Sequence, residues 1–156
     1  MERVVPVIVG LAVDPGVHQC GYARGDGRRV TQAGMWDTLR GPIWPQILPG
    51  MSAADPAHAV SEIPQVYQGT GKGAVRSKDL VDLVVVAGRV CGFHRVTYVR
   101  PASWKGQVPK KIHHARMWRI LDTEETALLK DLDVAKGLRH NVYDAVCLLL
   151  RTYGRM

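Results

Sequence analysis

The hydrophobic pattern opens with an aliphatic run, Val4–Val13, that ends at a single acid, Asp14, and a Pro-Gly stop. The run is rich in β-branched residues and far shorter than the ~20 apolar residues that span a membrane. We therefore predict a buried central strand with Asp14 at its carboxyl end. A carboxylate buried there needs a partner, because an unpaired buried charge is costly. The alternative is that Asp14 only initiates the turn.

Shorter apolar runs predict four further strands. The step Asp26-Gly27 between two of them is a strong hairpin signal. Glu62 falls near the end of the fourth predicted strand, although an exposed strand position remains the alternative for this acid. The four strands are expected at Cys20–Arg24, Arg29–Met35, His58–Ile63 and Arg95–Val99.

The helical pattern is strongest in three segments. Val75–Phe93 is apolar on more than one side, which favours packing on the sheet and on a second subunit of a homodimer. Asp122–Leu132 opens with a capping box. Arg139–Tyr153 is an apolar helix that includes one acid, Asp144, about one turn from its start. A favourable interaction with the helix dipole, worth ~0.3–1 kcal/mol, is the alternative account of that acid.

Two segments predict loops. Trp36–Ala57 is rich in proline and glycine, so we expect it to cross the molecule without a long helix. Pro64–Gly73 is glycine-rich but lacks the spacing of a phosphate-binding P-loop, which argues against nucleotide binding there. It includes Tyr67 and Lys72, which we interpret as one aromatic and one basic residue on a loop.

Composition limits the class of protein. The 156 residues are 46% hydrophobic, which predicts one folded domain over residues 1–156. Neither a membrane-spanning run nor a secretory signal is evident, so we expect a cytoplasmic protein with no membrane association. Cys20, Cys91 and Cys147 have no metal-binding spacing and predict free thiols.

Charge favours an anionic partner. Lys and Arg number 21 against 14 Asp and Glu, a formal charge of +7, which most simply indicates nucleic acid. The most basic stretch, Pro101–Arg119, alternates cations with aromatic residues, as phosphate contact and base stacking require. A solvated helix with Ile112, Met117 and Ile120 inward is the alternative. The adjacent His113 and His114 face different directions and make a poor zinc pair. The candidate DNA-binding residues are Tyr67, Lys72, Lys105, Lys110, Lys111 and Arg116.

Three acids form the candidate centre. If the first and fourth strands are parallel neighbours, Asp14 and Glu62 meet at one sheet edge, and the last helix brings Asp144 there. Converging carboxylates repel unless cations lie between them, and oxygen-only ligands select Mg²⁺ or Mn²⁺. Two such ions ~3.5–4 Å apart are the usual apparatus for phosphodiester cleavage.

The chain resembles the RuvC-type Holliday-junction resolvases of the ribonuclease-H-like superfamily, and a compact phage-type member in particular. The resemblance covers nearly the whole chain and implies a five-stranded mixed α/β sheet flanked by helices. It is carried by Asp14-Pro15-Gly16 with Gly21-Tyr22, Glu62 with Gln65-Val66-Tyr67, Pro101–Lys105, and Asp144-Ala145.

The resemblance also implies roles for single residues. Asp14, Glu62 and Asp144 would bind two Mg²⁺ ions, for which Mn²⁺ substitutes. The family has a fourth ligand one helical turn before the last acid; we favour His140, with Asn141 open. The catalytic set would then be Asp14, Glu62, His140, Asp144 and Lys105. Lys105 and one of Lys110 or Lys111 match basic residues near the scissile phosphate, and Tyr67 matches an aromatic near the junction centre.

The implied activity is Mg²⁺-dependent resolution of four-way DNA junctions by a homodimer, with paired nicks, 5′-phosphate ends and no small-molecule cofactor. A broader branched-DNA or RNA nuclease and a non-catalytic DNA-binding module are the alternatives. A sugar-kinase or actin-like ATPase shares the Asp-x-Gly opening but needs two such domains and a chain more than twice as long.

Overall fold

The fold is built on a five-stranded mixed sheet in which the predicted first strand is central. The computed structural model describes residues 9–16, 18–37, 58–63, 82 and 95–156. The strand order is β3-β2-β1-β4-β5; β1 pairs with β2 and β2 with β3 antiparallel, whereas β1–β4 and β4–β5 are parallel. The strands are β1 Val9–Asp14, β2 Gln19–Gly25, β3 Val30–Asp37, β4 His58–Glu62 and β5 Arg95–Val99. This confirms the predicted sheet.

One boundary was wrong. β3 continues to Asp37, so Trp36 is a strand residue, 1% exposed, and not the first residue of a loop. The remainder of the predicted proline-rich loop lies outside the described residues. So do the glycine-rich loop with Tyr67 and Lys72, and the predicted helix Val75–Phe93 apart from Asp82.

The β2–β3 hairpin turns at the predicted Asp-Gly step. Gly27 has a φ of 97°, which glycine adopts without the steric cost of a side chain. One carboxylate oxygen of Asp26 accepts hydrogen bonds from the backbone N–H groups of Arg28 and Arg29, each at 2.9 Å. The turn is therefore fixed by local chemistry, as the sequence predicts.

Four helices follow β5. The capping box of the third is formed as predicted, with Asp122 accepting from the Glu125 backbone and Glu125 accepting from the Asp122 backbone. No helix in the described part of the chain is long and apolar enough to cross a membrane. The helices are α1 Pro101–Trp104, α2 Lys110–Ile120, α3 Thr123–Lys130 and α4 Arg139–Thr152, with a 3₁₀ turn at Lys136–Leu138.

The core forms where α4 packs across β1, β2 and β3. The apolar positions of α4 are buried as the pattern predicts, each large one stabilising the fold by ~1.5–3 kcal/mol. Close approach requires Gly21 on β2, because a Cβ there would lie 2.2 Å from the backbone oxygen of Asn141. This contact fixes the first turn of α4, and with it the position of Asp144.

A buried ion pair ties the end of the chain to this core. Glu125 is 1% exposed, and both of its oxygens accept from the Arg155 guanidinium, at 2.6 and 2.8 Å. Glu125 also accepts from the backbone N–H of Val30, at 2.8 Å. Burial alone would raise the pKa of Glu125, but these hydrogen bonds hold it below its ordinary value. The network joins β3, α3 and the residues after α4.

Two of the three cysteines lie in this core. Cys20 and Cys147 are buried and free, as predicted, while Cys91 lies outside the described residues. Burial raises the pKa of each described thiol to about 12. Both thiols are therefore protonated at neutral pH and unreactive.

Candidate active site

Two parallel strands bring the first pair of acids together. β1 and β4 pair in parallel with Val13 opposite Ser61, so Asp14 and Glu62 follow at the same carboxyl edge of the sheet. This pairing is the one the sequence predicts for the first and fourth strands. Ligand sites in sheets with parallel strands lie at this edge.

Helix α4 adds the third acid. Asp144 is 3% exposed, which is rare for a charged residue without partners. The ammonium of Lys105 lies 2.7 Å from a Glu62 carboxylate oxygen and 3.8 Å from one of Asp144. One lysine thus joins the acid of β4 to the acid of α4. Burial alone would lower the pKa of Lys105, but Glu62 and then Asp144 raise it above its ordinary value.

Asp144 has two more partners on α2. Lys110 Nζ lies 2.5 Å from Oδ2, and His114 Nε2 lies 2.8 Å from Oδ1. These residues are four apart and share one face of the helix. Burial alone would raise the pKa of Asp144, but hydrogen bonds from His114 and Lys110 lower it. The acid is therefore ionised and can only accept, so His114 donates from Nε2–H.

The His114 ring is itself held in place. It packs edge-on against Tyr143, with ring centroids 5.4 Å apart, and Tyr143 packs edge-on against Trp118 at 5.5 Å. Such pairs prefer this geometry because the ring edge is positive and the face negative. Tyr143 of α4, itself held by Trp118 of α2, thus orients the imidazole that contacts Asp144. From the sequence, His114 was interpreted as part of the basic, aromatic-rich stretch and as half of a poor zinc pair, and its contact with Asp144 was not predicted.

Glu62 is oriented by Trp104 of α1. The indole Nε1–H donates to Glu62 Oε2 at 2.9 Å, and the Lys105 ammonium lies 4.7 Å from the Trp104 ring centroid. A buried indole N–H needs such an acceptor, and a cation over the ring face is favourable. Trp104 thus fixes both members of the Lys105–Glu62 pair.

Asp14 differs from the other two acids. Among the described residues no cation forms a salt bridge with it. Burial, followed by the charges of Asp144 and Glu62, raises its pKa to about 8. The charges of Lys105 and Lys110 act in the opposite direction but do not outweigh burial and the repulsion from the other two acids.

The three acids fit a hard divalent cation by their chemistry. Within the part of the chain that the structure describes, no three His, Cys, Asp or Glu side chains are close enough together to hold a metal ion as they are arranged. The oxygen-only donor set nevertheless suits Mg²⁺ or Mn²⁺. A cation beside Asp14 would also offset the repulsion between its carboxyl group and those of Asp144 and Glu62. Asp14, Glu62 and Asp144 are the residues that would hold it.

Three other predicted site residues, Lys111, Arg116 and His140, form no salt bridge with the acids within the described part of the chain. His140 is exposed, and Asn141 contributes its backbone to the contact with β2. Lys111 and Arg116 are exposed on α2. The alternative of a solvated α2 with Ile112 turned inward is wrong for this residue, because Ile112 is 46% exposed. Met117 is fully buried, as that alternative expects. The role of His140 as the fourth ligand stays a prediction.

A cleft opens beside the acids. Its volume is about 360 Å³, and it is lined by Asp144, Lys105 and Lys110 together with the loop between α1 and α2. Lys110 is 48% exposed and Lys105 23% exposed. A polyanion that enters this cleft would meet both ammonium groups next to the carboxylates.

Comparison with solved structures identifies the fold. The structure of Thermus thermophilus RuvC aligns with a TM-score of 0.50 and 15% identity, over 94% of this chain and 95% of that chain. T. thermophilus RuvC in complex with a Holliday junction substrate aligns with a TM-score of 0.48 and 16% identity, over 94% of both chains. No family model and no curated protein matches the sequence. The chain therefore has the ribonuclease-H-like fold of RuvC.

Proposed function

We propose that this protein is a metal-dependent endodeoxyribonuclease that resolves four-way DNA junctions. The observation that carries the proposal is the convergence of Asp14, Glu62 and Asp144 with Lys105 and Lys110 at one edge of a RuvC-like sheet. Acids that can hold divalent cations, beside lysines that can bind a phosphate, suit phosphodiester hydrolysis. The net charge of +7 supports a DNA substrate.

Each side chain of the centre has a task in this proposal. Asp14, Glu62 and Asp144 hold the cations, with Mg²⁺ proposed as the natural one and Mn²⁺ as a substitute. Bound divalent cations supply an activated water and charge neutralisation at the scissile phosphate. Lys105 and Lys110 attract the phosphate and offset the negative charge that grows on its oxygens in the transition state.

The surrounding residues hold these groups in position. His114 donates to Asp144, and Trp104 donates to Glu62, so each carboxylate has one fixed oxygen. Partners of this kind are worth about 10–100-fold in metal affinity or activity in known metal sites. We infer that His114, contributed by α2, orients Asp144, while the role of fourth ligand stays with His140 or Asn141 as the resemblance implies.

A four-way junction has strands in symmetrical pairs, so two cuts of like polarity need two active sites related by a twofold axis. We propose a homodimer for this reason, with the Val75–Phe93 segment as the contact that the sequence favours. Light scattering on purified protein at micromolar concentration tests it. A mass of twice 17.2 kDa is expected, and a monomeric mass with paired cutting would contradict it.

Substitution of the acids tests the active site itself. Asp14→Asn, Glu62→Gln and Asp144→Asn should each abolish junction cleavage in Mg²⁺ while junction binding in EDTA persists. The reason is that each change removes a cation ligand but no phosphate-binding cation. Asp133→Asn, at an exposed acid away from the centre, is the matched control and should cleave like wild type. Cleavage at the wild-type rate by any of the three variants would remove that acid from the site.

A further inference from the structure

A second cavity lies next to the catalytic cleft and has no task in the chemistry above. Its volume is about 520 Å³. One wall is the face of α2 that bears His113, Arg116 and Ile120, and Arg151 of α4 lines it as well. On α2 this face adjoins the one that carries Lys110 and His114, and His113 lines both cavities.

The two cavities adjoin each other. They share the residues of the α1–α2 corner, namely Ala102, Lys105, Gly106, Val108 and His113. His113 Nε2 contacts the Lys105 carbonyl oxygen at 3.0 Å, which fixes the corner between them. A strand that binds beside Asp144 and Lys105 would therefore be next to the second cavity.

The residues that line the second cavity favour a ligand that has both an anionic group and an apolar part. Arg116 and Arg151 are both exposed, and none of the described lining residues is acidic. The other walls include the apolar side chains of Val108, Ile120 and Met156. A nucleotide combines these properties, since its phosphate can pair with arginine and its base can pack on apolar side chains.

The spacing suits a nucleotide near the cut. Arg151 follows Asp144 by seven residues on α4, two turns along the same face, which is roughly 10 Å at 1.5 Å per residue. Arg151 therefore lies within reach of a nucleotide that neighbours a strand bound at Asp144, since even the compact rise of a duplex strand covers this length in about three steps of ~3.4 Å.

We propose that this cavity binds one unpaired nucleotide of the substrate strand, with its phosphate on Arg116 and Arg151. This inference rests on the proposed nuclease function and narrows its substrate to DNA with an unstacked base near the cleaved bond. A base inside a continuous duplex cannot enter a cavity unless it leaves the stack. Extrusion costs least for a base that is mismatched, damaged or already single-stranded.

The first test measures the charge contribution. Junction binding is measured in EDTA over a range of salt concentrations for wild type, Arg116→Ala, Arg151→Ala and the double variant. The slope of log K against log salt is negative, and each lost contact to an unpaired strand should make it less steep by about 0.7. The slope of the double variant should therefore be less steep than that of wild type by about 1.4. Lys136→Ala, at an exposed cation outside both cavities, should leave the slope unchanged. A double variant with the slope of Lys136→Ala would overturn the proposal.

The second test fills the cavity without changing its charge. Ser103 lines only the second cavity, so Ser103→Phe reduces its volume and Ser103→Thr serves as the control. Junctions with 2-aminopurine at successive positions around the cut report a base that leaves the stack as brighter fluorescence. Wild type and Ser103→Thr should brighten one position, and Ser103→Phe should not. Brightening that survives in Ser103→Phe contradicts the proposal.

Two further outcomes distinguish a failure of the nucleotide site from a failure of the proposed nuclease function. A wild-type protein that cuts no junction would contradict the proposed function, whereas normal cutting with unaffected cavity variants contradicts only the nucleotide site. Ser103 is exposed, but its hydroxyl donates to the Arg100 carbonyl oxygen at 2.7 Å, so Ser103→Phe without DNA should be destabilised by no more than about 1.5 kcal/mol, the upper value for one hydrogen bond. A larger loss would mean that the phenylalanine clashes with the protein and not that it occupies an open cavity, and the proposal would fail.

Discussion

At the scale of single residues, Asp144 has the densest set of partners in the centre. Lys105, Lys110 and His114 all contact it, although it is 3% exposed. Asp14 has no such compensation among the described residues. The pKa of Asp144 is therefore lowered and that of Asp14 is raised, and variants that probe each acid have distinct expected results.

We predict that His114→Ala lowers junction cleavage about 10–100-fold, because Asp144 loses the donor that orients it. His114→Gln, which can still donate a hydrogen bond, should recover part of this loss. His140→Ala is the comparison, since His140 is exposed. Cleavage rates in Mg²⁺, together with Mn²⁺ affinity measured by calorimetry, show which of the two histidines supports the active site. A full loss in His140→Ala with no change in His114→Ala would restore the fourth ligand predicted from sequence.

The pKa of Asp14 predicts an unusual pH dependence of stability in EDTA. The pKa is 3.8 for an ordinary Asp and about 8 here, so between these values the folded state keeps a proton that the unfolded state has lost. The contribution of this group to stability is therefore complete below about pH 4 and is lost as pH rises towards 8. Asp14→Asn has no carboxyl group at this position, so this variant should not lose stability for this reason between about pH 4 and pH 8.

The variant should accordingly melt above wild type at pH 8, and the gap should narrow towards pH 4. Thermal melts in EDTA across that range measure it, with Asp133→Asn as the control for a general charge change. Parallel curves for wild type and Asp14→Asn would contradict the raised pKa.

At the scale of elements, Gly21 controls how α4 meets the sheet. Gly21→Ala places a Cβ 2.2 Å from the backbone oxygen of Asn141, so the first turns of α4 must move and Asp144 with them. We expect a loss of ~1–3 kcal/mol in the free energy of unfolding, as for other overpacked contacts, and reduced cleavage. Urea denaturation measures the first effect.

Gly137→Ala is the matched control, because nothing lies within 4 Å of a Cβ at that position. It should unfold like wild type and cleave normally. Equal stability of the two variants would mean that the contact between β2 and α4 is not tight.

The elements also show what a sequence can predict. Strands β1 and β4 were predictable because their apolar runs end at acids, and parallel neighbours bring such ends together. The position of Asp144 followed from the pattern of α4. His114 was not predictable, because its contact depends on how α2 packs against a helix 30 residues later, which no local pattern encodes. The Glu125–Arg155 pair, also 30 residues apart, was missed for the same reason.

At the scale of the whole molecule, charge and geometry point to the same substrate. The formal charge of +7 would attract any nucleic acid, but it selects none in particular. The three acids and the two lysines of the centre lie at one edge of the sheet. Under the proposed function, a homodimer would carry two such centres related by a twofold axis, which matches a substrate with two equivalent cutting positions.

The most direct measurement compares a synthetic four-way junction, a linear duplex and single-stranded DNA, each incubated with the protein in Mg²⁺ and in EDTA. We predict paired, symmetrical nicks with 5′-phosphate ends in the junction alone, and no product in EDTA. Similar cutting of all three substrates would contradict junction specificity and leave a general nuclease. Tight junction binding without product in Mg²⁺ or Mn²⁺ would contradict the nuclease itself.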